Sequence, residues 1–142
     1  MIQPWHGEDF GGAKLALIRG TDVLTYRRDN KPDIPYPDYW DLPGGGREGT
    51  ESPSVCALRE LFEEFGLTLP VSRLTRGRRF DAGPGGLHPS YFFIGHLDDH
   101  DIQAIAFGDE GQYWRMMPLI EFLYHDHAVP ALQERLLMLY QG

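Results

Sequence analysis

A single cysteine, Cys56, stands among the 142 residues. No internal disulfide can form, which fits a reducing compartment. Positive charge is also scarce: 13 Lys and Arg face 21 Asp and Glu, for a formal net charge of −8. A general nucleic-acid binder carries a basic face, so a nucleic-acid polymer is not an expected partner. A small anionic substrate stays open, because bound divalent cations reverse the local sign. No apolar run approaches the ~18 residues needed to span a membrane, so no membrane partner is expected. The start, MIQPWHGEDF, has neither the basic nor the apolar stretch of a secretory signal. The expected location is cytoplasmic.

What is present is a hydrophobic share of 42%, enough for a real core in one domain spanning residues 1–142. The 17 Gly and 11 Pro point to several tight connections in an ordered chain. Residues 13–28, AKLALIRGTDVLTYRR, place two apolar runs around Gly20-Thr21-Asp22, a hairpin signal. Residues 29–39 hold three prolines and read as a loop. Trp40-Asp41-Leu42 reads as a short strand before Pro43 and the glycines. Residues 70–81 are β-like and carry four arginines. Residues 90–97 predict a strand, the following DDHDIQ a polar stretch, 112–117 another strand, and 118–123 a short helix. Pro130 to Tyr140 predicts an amphipathic helix with Leu132, Leu136, Leu137 and Tyr140 near one face. Strands and helices are mixed, so the class is α/β or α+β.

The informative stretch is GGGREGTESPSVCALRELFEEFGL, residues 44–67. Ser52 predicts an N-cap, Pro53 the first helical position and Gly66 the stop. At 100° per residue Glu60, Glu63 and Glu64 sit at about 0°, 300° and 40°, on one face. Val55, Leu58, Phe62 and Phe65 fall between about 140° and 220°, and are the expected anchoring face. Arg59 is the only cation on this helix, so the carboxylates lack the usual lysine partners. A hard divalent cation would relieve the repulsion. Mg²⁺ takes carboxylate oxygens and completes its shell with water and substrate phosphate. The glycines before the helix let backbone approach such a ligand.

Other patterns carry less. Gly44-x-Gly46-x-x-Gly49 fits a dinucleotide fingerprint, but the acid about 20 residues on lies inside the helix, not at a strand end. The spacing is not an EF-hand loop. His96, His100, His125 and His127 lie near aspartates without a metal-ligand spacing. Cys56 is expected as a small helix residue near the site. Tyr36, Trp40, Phe80, Tyr91 and Tyr113 are the aromatic candidates for stacking on a base.

The run from Gly45 through Glu51 and Arg59-Glu60-Leu61 to Glu63-Glu64 and Gly66-Leu67 resembles the Nudix box, the signature of the Nudix hydrolase family. Every fixed position matches. The resemblance implies a single domain with an α/β/α sandwich around a mixed β-sheet. It implies hydrolysis of a nucleoside diphosphate linked to another moiety, with Mg²⁺ as cofactor and Mn²⁺ as a substitute. Carried over, Glu60, Glu63 and Glu64 become metal ligands, with the Gly44 carbonyl as a further one. Arg59 would orient the glutamates, and Glu51 would tie the loop to the helix. An additional carboxylate on a later loop, Glu110 with Asp109 as competitor, is expected as base or further ligand. Arg27, Arg28 and Arg79 are candidates for phosphate contacts, because guanidinium suits that geometry. Trp40 is the candidate for substrate contact. Without an evident added recognition domain, a nucleoside triphosphate pyrophosphohydrolase leads, with nucleotide sugars, ADP-ribose and a non-catalytic nucleotide-binding module as alternatives. A homodimer is possible in such a family, and residues 32–40 would suit an interface or a substrate lid.

Overall fold

The computed structural model describes residues 1–141. It contains β1 (Gly12–Arg19), β2 (Asp22–Arg27), β3 (Trp40–Asp41), β4 (Gly44–Gly46), α1 (Pro53–Phe65), β5 (Leu74–Phe80), β6 (Ser90–His96), α2 (Asp99–Gln103), β7 (Tyr113–Pro118), α3 (Leu119–Tyr124) and α4 (Pro130–Gln141). The strands form one mixed sheet. Its main path is β3-β2-β1-β6-β5, with β4 on β1 and β7 on β2. β1 and β6 run parallel from Gly12↔Ser90 to Ile18↔His96, and the other pairings are antiparallel.

Alternation along the strands builds two cores. Leu15, Leu17, Leu24, Tyr26, Tyr91 and Phe93 point to the side covered by α1. Ala16, Ile18, Val23, Phe92 and Ile94 point to the side covered by α3 and α4. Side chains two apart share a face, so each central strand serves both layers. The result is the α/β/α sandwich around a mixed sheet that the resemblance implied.

The hairpin, the strands at 90–97 and 112–117 and the helices after Pro118 and Pro130 form where expected. Three points differ. The glycines 44–46 are a strand, not a loop, and pair with Gly12, Ala13 and Lys14. The polar DDHDIQ stretch forms α2, because Asp98 and Asp101 make a reciprocal capping box. In α4 the buried residues are Leu132, Leu136 and Leu139, while Leu137 and Tyr140 are exposed. The sheet takes a narrow stripe of that helix, and the flanking residues fall outside it.

One topological detail positions the site. The C-terminal end of β1 pairs with β2 at Ile18↔Val23, whereas its N-terminal end pairs with β4 at Lys14↔Gly44. The sheet therefore forks along one edge of β1. The gap is filled by polar side chains and covered by α1. Among the described residues no helix is long and apolar enough to cross a membrane.

Candidate active site

The helix α1 forms as its signals require. The Ser52 hydroxyl accepts from the Val55 amide, Pro53 opens the helix, and Gly66 ends it in the left-handed region at φ 66°. Its rotation is not the one the apolar residues suggest. Val55 and Phe62 are exposed, while Cys56, Ala57, Leu61, Glu64 and Phe65 are buried. The sheet selects the face with small residues, because Cys56 and Ala57 let the helix lie close to the strands. Polar bonds fix the same rotation. The glutamate face is thus turned along the glycine strand, not away from the core.

Glu64 shows the consequence most directly. Its side chain is buried, and Oε1 accepts from the Gly44 amide at 2.9 Å. Burial pushes its carboxyl up to about 8, although the nearby Lys14 ammonium and the Gly44 amide pull the other way. Glu60 lies beside Gly45. A Cβ at residue 45 would sit 2.7 Å from the Glu60 carboxyl carbon, so only glycine leaves that carboxylate its place. Burial also raises the Glu60 carboxyl, against the pull of Arg59.

Arg59 organises the exposed side of the cluster. Its Nε donates to Glu51 at 2.6 Å, and Nη2 donates to Glu51 at 3.0 Å and to the Gly46 carbonyl at 2.8 Å. Nη1 lies 2.8 Å from Glu48, 3.0 Å from Glu60 and 2.8 Å from Glu63. Glu51 also accepts from the Glu48 amide at 2.8 Å, which closes the turn before α1. Glu48, Glu60 and Glu63 each offer a carboxylate oxygen, and these lie within 4.8 Å of one another. An all-oxygen set of carboxylates fits a hard divalent cation. Glu48 was not singled out from the sequence. It is one acid in a loop, and no periodicity marks it.

The fork in the sheet holds a second group that the sequence did not reveal. Asp41 is buried and accepts from Lys14 Nζ at 3.1 Å, Arg28 Nη1 at 2.7 Å, the Tyr26 hydroxyl at 3.0 Å and the Leu42 amide at 2.7 Å. Burial alone would raise its carboxyl, but Lys14, Arg28 and the Leu42 amide hold it below the usual value. These residues are scattered over 27 positions between Lys14 and Asp41. Only strand pairing brings them together.

The remaining candidates separate clearly. Glu110 is exposed on the loop before β7. That loop is tied to α1 through the Ala106 amide to Phe65 and the Gly108 amide to Glu64, and to β2 through the Gln112 amide to Arg27. Glu110 lines a cavity of about 210 Å³ with Tyr26 and Arg28, and its charge is felt at Glu60. Arg28 lies in the fork. Arg27 is turned away to Asp38, at 3.1 Å, and to the Trp40 ring, 5.4 Å from its centroid. Arg79 lies on the far strand β5 and pairs with Asp81 at 3.3 Å, so nothing brings it to the carboxylates. Trp40, expected at the substrate, is 4% exposed and packed among Val23, Phe92 and Leu132. A ring in that position offers no open face to a base. Tyr91 is likewise buried, whereas Tyr36 and Tyr113 are about half exposed. Burial pushes the Cys56 thiol up to about 11, so it is no nucleophile at neutral pH.

Among proteins of known type, diphosphoinositol polyphosphate phosphohydrolase 3-beta of Bos taurus is 39% identical over 100 residues, which cover 68% of this chain and 59% of that protein. The RNA pyrophosphohydrolase of Acidiphilium cryptum (strain JF-5) is 44% identical over 57 residues, covering 40% of this chain and 34% of that one. The chain thus spans less than two thirds of the length of these relatives. A bifunctional NMN adenylyltransferase/ADP ribose pyrophosphatase from Francisella tularensis, solved with AMP and a Mn ion, shares the fold with a TM-score of 0.72 at 20% identity. That match covers 96% of this chain and 42% of the other. The family model of the NUDIX domain matches residues 11–138, nearly the whole sandwich and all of the carboxylate face, and the chain belongs to that family.

Proposed function

We propose that this chain is a metal-dependent pyrophosphohydrolase that cleaves the pyrophosphate linkage of a nucleoside diphosphate linked to another moiety, with a nucleoside triphosphate as the leading substrate class. The observation that carries this reading is the convergence of Glu48, Glu60 and Glu63 beside the glycine strand. Glu60, Glu63, Glu64 and the Gly44 carbonyl are the residues that would hold Mg²⁺, or Mn²⁺ in its place, with Glu48 now added to that group. When bound, such a cation lowers the pKa of water and neutralises charge on the transferring phosphoryl group.

The chain's own residues supply the rest. Glu63 or Glu110 takes the proton of the attacking water, because both carboxylates are exposed. The water oxygen bonds to one phosphorus, the bridging P–O bond breaks, and the leaving phosphate departs with the pair of electrons. Arg59 is a positioning residue: it holds Glu48, Glu51, Glu60 and Glu63 in one constellation. Of the three arginines expected at phosphate, Arg28 lines the cavity beside Glu110, and its Nη1 is paired with Asp41.

The identity to diphosphoinositol polyphosphate phosphohydrolases favours a second reading, in which the substrate is a diphosphoinositol polyphosphate. Such a ligand is densely anionic and needs several free cations. Lys14 and Arg28 are both committed to Asp41, which supports the nucleotide reading.

The test is release of phosphate and pyrophosphate from nucleoside triphosphates, nucleotide sugars, ADP-ribose and diphosphoinositol polyphosphates with Mg²⁺ or Mn²⁺, beside a Glu63→Gln control. Turnover on one class, lost in the control, supports the reading and names the substrate. Nucleotide binding without turnover would leave a non-catalytic binding module.

A further inference from the structure

A cavity of about 360 Å³ opens where the sheet forks, between the 29–39 loop, β1 and α4. It lies within the ~300–1,000 Å³ of small-molecule pockets. Gly45, which lies against the Glu60 carboxylate, is among its lining residues. Lys14 and Arg28 line it too, and Tyr36, Leu132 and Arg135 complete the wall used here.

Two of these residues stand out. Tyr36 is 45% exposed and has φ 48°, in the left-handed region that a bulky side chain rarely adopts. The loop imposes this conformation. Arg28 Nε donates to the Pro35 carbonyl at 3.0 Å, and the Asp38 carboxylate accepts from Gln112 at 2.7 Å. Such backbone strain is characteristically kept where a side chain must be presented. The ring lines the cavity and lies 5.2 Å, centroid to centroid, from that of Tyr39.

Arg135 is the second. In a chain of net charge −8, its guanidinium is half-buried and has no ion pair among the described residues. Nη1 donates to the Ser90 hydroxyl at 2.9 Å, and the group stacks over the Phe80 ring at 5.1 Å. A planar fork fixed at one corner, on a residue that lines the cavity, suits a ligand bearing acceptors.

We propose that this cavity seats the nucleoside end of the substrate, with the Tyr36 ring as the stacking face for the base and the Arg135 guanidinium as the donor to an acceptor on its edge. The proposal rests on the carboxylate face being the phosphate end of the same substrate. It assigns selectivity to the 29–39 loop and to α4, neither of which belongs to the glycine-glutamate motif. An aromatic face tolerates any base, whereas the guanidinium discriminates by acceptor position.

The test is calorimetric binding of a methylene-bridged, non-hydrolysable nucleoside triphosphate and of base-free methylenediphosphonate, each with Mg²⁺. The wild type is expected to bind the nucleoside probe at least about tenfold more tightly. Tyr36→Gly removes the ring and also the backbone strain, so its thermal midpoint should not fall while the preference disappears. Tyr36→Phe should keep it. Arg135→Gln should weaken the nucleoside probe alone, with Arg135→Lys recovering part of the affinity. Base-free binding should be unchanged throughout. Equal affinity of the wild type for both probes, or a preference that survives in both Tyr36→Gly and Arg135→Gln, overturns the proposal. Turnover measured in parallel separates the two readings: base-dependent binding without hydrolysis sinks the catalytic reading and leaves the pocket standing.

Discussion

A Cβ on Gly45 would meet the carboxylate of Glu60 at 2.7 Å, so the glycine strand and the acidic face of α1 are in direct contact there. The obstruction is the far end of a flexible side chain, so the fold can accommodate it by swinging Glu60 aside. Gly45→Ala should therefore keep its thermal midpoint within a few degrees and lose activity by about 10²-fold, the cost of a displacement near 1 Å at a reacting centre. Steady-state kinetics beside a melting curve reads both. Gly44→Ala should behave differently. Residue 44 has φ 128° and its Cβ would lie 2.2 Å from the Ala13 carbonyl oxygen, so that variant should fail to fold.

Arg59→Lys keeps the charge and removes the fork. A lysine cannot reproduce the paired contacts to Glu51 while also reaching Glu48, Glu60 and Glu63. Metal affinity or activity should fall by roughly 10–100-fold, as for other residues that orient a ligand set. Titration with Mn²⁺ followed by relaxation or calorimetry measures it directly. An unchanged affinity would mean that the glutamates hold their places without Arg59.

Glu63→Gln removes a carboxylate without changing shape. The expected loss is about 10²–10⁴ in kcat with little change in KM, the range for a general base. Removing divalent cations with a chelator should abolish turnover of the wild type, and adding Mg²⁺ should restore it. Turnover that survives the substitution would shift the role of base to Glu110.

Asp41→Asn tests the network in the fork. It leaves the Lys14 and Arg28 charges without their buried partner, and should cost about 3–5 kcal/mol in urea unfolding. The pH dependence follows from the depressed carboxyl of Asp41. Its contribution is complete above the unfolded value, 3.8, and is lost as pH falls through the lower folded value. The stability gap between wild type and variant should therefore be constant near neutrality and close only in strong acid.

Phe62→Ala and Leu61→Ala test the rotation of α1. Phe62 is 57% exposed and Leu61 fully buried, although Phe62 is the larger apolar residue. The first change should cost less than about 0.5 kcal/mol and the second about 2–5 kcal/mol. The reverse order would restore the orientation that the apolar residues alone suggest.

The pattern of residues by itself determined the local elements and the reaction motif. Ser52, Pro53 and Gly66 bound α1 because caps act within a few residues of the helix they end. The hairpin at Gly20-Thr21 and the strand at 90–96 follow from alternation and turn chemistry, which are equally local. The glutamates were found together because 3.6 residues per turn places them on one face wherever the helix packs. Which face packs is another matter. The sheet took Cys56 and Ala57 over Val55 and Phe62, since close approach depends on what lies opposite. The same holds for Trp40, whose burial comes from its neighbours across the sheet. Glu48 joins the acidic cluster only because Arg59 reaches back to the turn. Lys14, Arg28 and Asp41 meet only because β1 divides its edge between β2 and β4. These contacts are long-range, and their geometry comes from strand pairing and packing rather than from any spacing along the chain.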